Sequence, residues 1–178
     1  MRHMAIPLMF LVVPAVALGY VAEFSISDVT WIYNAEGQSR VLMRIDGLAQ
    51  LSGCKVQFAT IALPLCREAS GGNIGVFRVA RFWQSQTVGW VYPWVAVGGD
   101  IRGASIANWA VRTDATLRAH FLDVTEYVQE VAEGGQDFGL LLAPSDDTDS
   151  GFDVGMRPLL LQLSQSKVHV LYRCKSKP

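Results

Sequence analysis

The chain has 178 residues, a formal net charge of −1, and a composition that is 51% hydrophobic and 17% charged. These values exclude a disordered chain and allow one domain with a sizeable hydrophobic core. Because Lys and Arg are scattered along a nearly neutral chain, no overall field recruits nucleic acid or an anionic membrane surface.

The first 19 residues have the features of a targeting segment. Basic residues precede an apolar run over residues 5–19, and the small-residue box Ala17-Leu18-Gly19 predicts cleavage before Tyr20. The run is short for a membrane span, which needs ~20 apolar residues. We therefore predict a signal peptide over residues 1–19 and a secreted or cell-surface domain over residues 20–178. A retained anchor or a buried strand is the alternative.

Alternation of apolar and polar residues predicts a series of short antiparallel strands. In the clearest case Val41, Met43 and Ile45 face one way, while Leu42 and Arg44 face the other. Residues 84–114 lack this alternation and are expected to be irregular. The predicted strands are Val21–Tyr33, Arg40–Asp46, Lys55–Leu65, Ile74–Trp83, Thr116–Leu122, Phe138–Ala143, Leu159–Leu163 and Lys167–Arg173.

One short helix interrupts the strands. Asp123-Val124-Thr125-Glu126 has the capping-box arrangement of a helix start. Apolar residues follow at helical spacing up to Val131, and Gly134-Gly135 predicts the stop. The pattern predicts an all-β antiparallel sandwich with one amphipathic helix closing an end.

Several phrases occur in a familiar order. They are Arg40, Arg44-Ile45-Asp46, Val56…Ala59…Ile61…Leu63, Val76-Phe77-Arg78-Val79…Trp83, Asp123-Val124-Thr125…Val128…Gly134…Gly139-Leu140…Leu142, and Arg157-Pro158…Leu160…Leu163. In these phrases the chain resembles the DNRLRE-type domains, jelly-roll β-sandwiches of secreted bacterial and archaeal proteins, some of them classed as carbohydrate-binding modules. The resemblance covers about residues 24–165 and implies a jelly-roll fold with Trp83 in its core. The chain departs from the family in having Ile45 in place of a Phe, Val131 near the position of a Trp, and a continuation after Ser164.

Three cysteines leave the disulfide pattern open. Cys54 and Cys66 bracket one predicted strand, so a straight strand separates them by ~40 Å, whereas a disulfide needs Cα atoms within about 7 Å. That pair therefore requires a break near Pro64. Cys174 can join either of them, and three unpaired thiols are the alternative.

No familiar catalytic motif occurs in the sequence. The chain lacks G-x-S-x-G, H-E-x-x-H, C-x-x-C, a P-loop and a dinucleotide-binding glycine pattern. His120 and His169 lie in predicted strands beside apolar residues, where we expect surface or core-edge positions. We therefore predict a protein that is not an enzyme; a polysaccharide-degrading hydrolase or lyase is a distant alternative.

An acidic loop near the C-terminus is the best candidate for an ion site. Calcium takes six to eight oxygen ligands, often from one loop, and the candidate ligands are Asp146, Asp147, Asp149 and Asp153. The loop lacks the closing Glu of an EF-hand. Calcium is therefore a candidate cofactor, and a solvated acidic turn without a metal is the alternative that the ligand count favours.

Aromatic residues in the irregular middle segment are the best candidates for ligand binding. Sugar rings stack their C–H faces on flat aromatic side chains, and the candidates are Trp90, Tyr92 and Trp94. We expect Trp90 and Trp94, which flank Pro93, to be exposed. The guanidinium of Arg81, Arg102 or Arg78 can pair with the carboxylate of an acidic sugar. The alternative is that most of the five tryptophans, including Trp83 and Trp109, fill the core.

These features predict a non-catalytic extracellular module. Its expected partner is a polysaccharide, or another component of the cell surface to which it attaches. The second hypothesis is a structural subunit that assembles with copies of itself through an exposed sheet edge or a retained N-terminal segment.

Overall fold

The computed structural model describes residues 19–64, 72–111, 119–144 and 162–174. Within these ranges the chain forms eight strands and one α-helix, α1 (Thr125–Ala132), with short 3-10 turns at Leu48–Leu51 and Gln162–Gln165. The strands are β1 (Tyr20–Tyr33), β2 (Ser39–Ile45), β3 (Cys54–Pro64), β4 (Gly72–Val79), β5 (Ile101–Val111), β6 (Ala119–Asp123), β7 (Leu140–Pro144) and β8 (Lys167–Cys174). The predicted leader, residues 1–19, lies outside the described residues except for Gly19, and it stays a prediction.

The strands pair antiparallel in one sheet, in the order β5-β4-β7-β2-β1-β8-β3-β6. The two edge strands, β5 and β6, lie in contact with each other, so the sheet curls nearly into a barrel. The prediction of an all-β antiparallel fold with one short helix is confirmed.

Strand β1 joins the two halves of this sheet. Its first part pairs with β8 and its second part with β2, and the register shifts between Ser27 and Thr30. At this bulge Asp28 adopts a positive φ of 49°. A bulge adds twist and bends the strand, so β1 turns the corner from one half of the sheet to the other.

The inner surface of the curled sheet holds the main core. Val41, Met43 and Ile45, which the alternation puts on one face of β2, all lie in it, as do Val168 and Val170 of β8. Helix α1 adds its apolar face to the same core and packs against β3 and the turn at Leu48–Leu51. The alternation read from the sequence therefore groups the residues that share a strand face correctly.

The start of α1 differs from the capping box that the sequence predicts. The side chain of Asp123 accepts a hydrogen bond from the amide of Thr125 at 2.9 Å, but the N-cap residue is Val124. Glu126 forms an ion pair with Arg78 of β4 instead of returning to the helix start. The predicted stop is confirmed, because the helix ends at Ala132 and the amide of Gly134 donates to the Val131 carbonyl.

Strand β5 was not predicted from the sequence. The expectation that residues 84–114 are irregular is wrong for residues 101–111, which pair with β4. Between Val76 and Arg78 the register shifts, and β5 holds extra residues opposite β4. These residues break the period of two on which the prediction depended. The predicted strand Leu159–Leu163 is a 3-10 turn from Gln162 onward, and residues 159–161 lie outside the described residues.

A disulfide joins Cys54 at the start of β3 to Cys174 at the end of β8. The two residues are direct partners in the β3–β8 ladder, with Cα atoms 4.1 Å apart. This pairing is one of those that the cysteine spacing left open. It excludes the alternative of three unpaired thiols.

Replacing both cysteines by serine, Cys54→Ser with Cys174→Ser, is expected to lower the free energy of unfolding by about 4–5 kcal/mol, because the bond closes a loop of 120 residues in the unfolded chain. Urea unfolding without reductant measures this change. Cys66→Ser is the control, and we expect it to leave the disulfide-linked peptide intact in non-reducing peptide mapping. A double variant within about 1 kcal/mol of the parent would contradict the cross-link.

Candidate ligand-binding loop

The segment between β4 and β5, residues 80–100, forms a loop whose two ends meet. The amide of Ala80 donates to the carbonyl of Asp100 at 2.9 Å, next to the paired residues Val79 and Ile101. We call this segment the outer loop. It folds back over the sheet instead of projecting away from it.

The outer loop covers the sheet face that points away from the main core. Strand residues on this face, including Leu42 and Leu141, are fully buried, and they pack in a second apolar cluster with Trp83 and Trp94 of the loop. Their sequence neighbours face the main core, because side chains alternate along a strand. Strands β2 and β7 are therefore buried on both faces, and the outer loop forms an additional layer.

Trp83 fixes the beginning of the outer loop. Its side chain is only 1% exposed, and its indole N–H donates to the Phe138 carbonyl at 2.7 Å. The guanidinium of Arg44 lies over the Trp83 ring at 4.6 Å and over the Phe82 ring at 5.2 Å, and it also donates to the Trp83 carbonyl. These cation–π contacts hold a strand residue against the loop.

The bulge in β1 contributes a carboxylate to the same contact. Asp28 forms an ion pair with Arg44 at 3.4 Å and accepts a hydrogen bond from the hydroxyl of Ser85 at 3.2 Å. An Asp tolerates a positive φ better than most residues do. The bend in β1 thus places the Asp28 carboxylate between Arg44 of β2 and Ser85 of the outer loop, and the carboxylate bonds to both.

A second cation–π pair holds the middle of the outer loop. The guanidinium of Arg40 lies 5.2 Å from the centre of the half-buried Trp90 ring and donates to the Gly98 carbonyl at 2.9 Å. Gly98 has a φ of 84°, and a Cβ there would lie 2.8 Å from the Arg40 Nη1 atom. Only glycine permits this close approach of the loop backbone to Arg40.

The expectation that Trp94 is exposed is wrong. Trp94 is 8% exposed, and its indole N–H donates to the carbonyl of Gly89 at 2.8 Å. The peptide bond between Tyr92 and Pro93 is cis, and the chain turns so that Trp94 points inward while Tyr92, 65% exposed, points outward. Trp94 supports the loop from beneath and offers no face to a ligand.

Asp100 organises the far end of the outer loop. Its carboxylate accepts hydrogen bonds from the amides of Val95 and Ala96 and from the guanidinium of Arg81. Partial desolvation acts to raise the pKa of Asp100, but these three donors outweigh it and hold the pKa below its usual value. The charged form of Asp100 is therefore the one that the folded loop favours.

An acid whose pKa is lowered in the folded protein stabilises the fold at pH values above its ordinary pKa. This stabilisation is lost as the pH falls through the lowered pKa. We expect Asp100→Asn to cost about 1–3 kcal/mol at pH 7, because the carboxylate accepts several hydrogen bonds. Its cost should shrink as the pH falls toward 2. Melting temperatures of parent and variant between pH 2 and pH 7 measure this. Glu36→Gln, in the exposed turn after β1, is the control; an Asp100→Asn deficit that is equal at every pH would contradict the assignment.

The structure separates the predicted ligand-binding residues. Arg81 lies at the base of the outer loop and pairs with Asp100, whereas Arg102 and Arg78 are direct partners in the β4–β5 ladder. Both of these arginines form ion pairs with Glu130 of α1, on the side of the sheet opposite to the outer loop. Grouping Arg102 with the aromatic residues was therefore wrong. The side chain of Trp109 is not described.

The predicted calcium ligands Asp146, Asp147, Asp149 and Asp153 lie outside the described residues, and the calcium site stays a prediction. In the part of the chain that the structure does describe, no cluster of three or more His, Cys, Asp or Glu side chains is placed to hold a metal ion. His169 lies at the surface beside Glu23, with 3.2 Å between the ring nitrogen and the carboxylate. This agrees with its expected surface position.

Four apolar side chains stand on the outward side of the outer loop. They are Val91, Tyr92, Val95 and Val97, and each is well exposed, with Val95 at 80%. We call these four residues the loop tip. Phe82, at the start of the loop, is also exposed (55%), but its ring contacts the guanidinium of Arg44. Sequence reasoning identified Tyr92 but missed the three valines and the two anchoring arginines, Arg40 and Arg44. The sequence did carry a signal for the two arginines, because they flank Leu42 at the spacing that puts all three on one face of β2. A charge on a buried apolar face needs a partner.

No protein-family model matches the sequence, and no curated protein matches it. Among the described residues, no helix has both the length and the apolar character needed to cross a bilayer.

Proposed function

We propose that the chain is a non-catalytic extracellular module that attaches to a surface ligand through the outer loop. Two features support this. The loop tip presents Tyr92 and apolar side chains to solvent, and cation–π contacts, buried tryptophans and the Asp100 carboxylate hold the loop beneath it. A contact surface that is already held in shape loses little conformational freedom on binding.

We further propose that the curled sheet belongs to the jelly-roll class and that the ligand is a polysaccharide. The sequence phrases shared with DNRLRE-type domains support both proposals. Tyr92 is the aromatic side chain available for stacking on a sugar ring. Arg81 lies at the base of the same loop, where its remaining donors suit a carboxylate of an acidic sugar. This arrangement replaces the Trp90–Trp94 pair that the sequence suggested.

The exposed tyrosine provides the test. Affinity electrophoresis on gels that contain acidic or neutral polysaccharides should retard the parent protein, and Tyr92→Ala should weaken binding about tenfold, as expected when a central aromatic contact is lost. Tyr33→Ala is the matched control, because Tyr33 is similarly exposed (68%) at the end of β1. Equal retardation of parent and Tyr92→Ala would contradict the assignment of the loop, and a parent that no polysaccharide retards would remove this ligand.

Assembly with copies of itself is the second candidate function. Val21, Leu171 and Phe58 are successive direct partners across β1, β8 and β3, and all three are exposed. A row of apolar side chains on an open sheet face suits contact with another protein surface. Native mass from light scattering tests this; a concentration-independent monomer would remove it.

A further inference from the structure

We propose that the loop tip, Val91, Tyr92, Val95 and Val97, inserts into the interface of a lipid bilayer. This inference rests on one part of the proposed function, attachment through the outer loop, and it assigns a lipid surface in place of a polysaccharide as the ligand. Three properties of the loop suit it to a bilayer: the chemistry of its exposed side chains, its lack of charge, and the bonding of its backbone.

The exposed side chains suit hydrocarbon better than sugar. Three of the four residues of the loop tip are valines, and an aliphatic side chain offers a sugar neither a flat face nor a hydrogen bond. The fourth, Tyr92, has an apolar ring and a polar hydroxyl. Tyrosines with this character are enriched at the level of lipid headgroups.

The outer loop also lacks charge over its whole length between its two ends. Residues 82–99 contain no Asp, Glu, Lys, Arg or His. The charged residues that bracket this run, Arg81 and Asp100, are bonded to each other at 2.8 Å at the base of the loop. Insertion of the tip therefore moves no unpaired charge out of water, and it does not require anionic lipid.

Backbone groups near the tip are bonded within the protein. The amides of Gly89, Gly98 and Gly99 donate to carbonyls inside the loop. Those of Val95 and Ala96 donate to Asp100. An unsatisfied backbone group is costly in an apolar environment. Because these five amides are already bonded, they add little to the cost of bringing the loop into the headgroup region.

Sedimentation of the full-length chain with neutral phosphatidylcholine vesicles tests the proposal. We expect the parent to bind and the bound fraction to be insensitive to 1 M salt, because the contact is apolar. The double variant Val95→Asp with Val97→Asp should lower the partition coefficient at least about tenfold. The double variant Val95→Ser with Val97→Ser, which adds no charge, should also lower the partition coefficient. Each variant should keep the parent's melting temperature, since both valines are exposed.

Tyr33→Asp is the matched control, since Tyr33 is a similarly exposed side chain (68%) at the end of β1, outside the outer loop. It should bind vesicles within about twofold of the parent. All variants share residues 1–18, so a double variant that binds vesicles as the parent does would assign the binding to another part of the chain and overturn the inference. A parent that ignores vesicles would also overturn it.

Two further outcomes separate this inference from the proposed function. If the parent ignores vesicles but the double variant loses retardation on polysaccharide gels, the lipid inference fails and the outer loop remains the attachment site. If the parent ignores vesicles and forms a dimer that the double variant loses, the loop tip contacts a second copy and the lipid inference fails. If parent and double variant behave alike in vesicles, gels and native mass, both proposals fail.

Discussion

Burial of the outward face of strands β2 and β7 is the constraint on which the rest of the structure depends. Leu42 and Leu141 point away from the main core, yet both are fully buried. An apolar face of this kind is stable only under a cover, because exposing it to water costs free energy in proportion to its area. The outer loop is that cover, and its path across the sheet follows from this requirement.

Two arginines on the same face of β2 hold the outer loop in one conformation. Arg40 and Arg44 flank Leu42 at the spacing of two that puts side chains on one face of a strand. Each guanidinium lies over an indole ring of the loop and donates to a loop carbonyl. A charge close to an apolar cluster needs such partners. The same contacts that satisfy the arginines therefore hold the loop tip in one shape, which is the property that a binding surface uses.

Much of the fold was predictable from the sequence, because alternation reports directly which face of a strand is buried. It placed Val41 and Leu42 on opposite faces of β2, and the helix ends just before Gly134-Gly135, as those glycines indicate. Alternation cannot say what covers an outward face. Alternation therefore could not predict that Trp83 and Trp94 cover this face, nor which groups bind Arg40 and Arg44.

The other misses have local causes. Trp94 beside Pro93 has the neighbours of an exposed loop residue, but the chain turns there and its indole N–H reaches a carbonyl inside the loop. Extra residues in β5 disrupted the period of two and concealed a strand, and with it the position of Arg102 beside α1. The cysteine spacing allowed several pairings, and only the β3–β8 register selects Cys54 and Cys174.

Amide hydrogen exchange measured by NMR tests most directly whether the outer loop is a folded layer of the protein. The amides of Gly89, Val95, Ala96 and Gly98 are bonded inside the loop, so their protection should approach that of the β2 amides beneath them. Exchange of these four amides at the rate of an unstructured peptide, while β2 stays protected, would contradict the account.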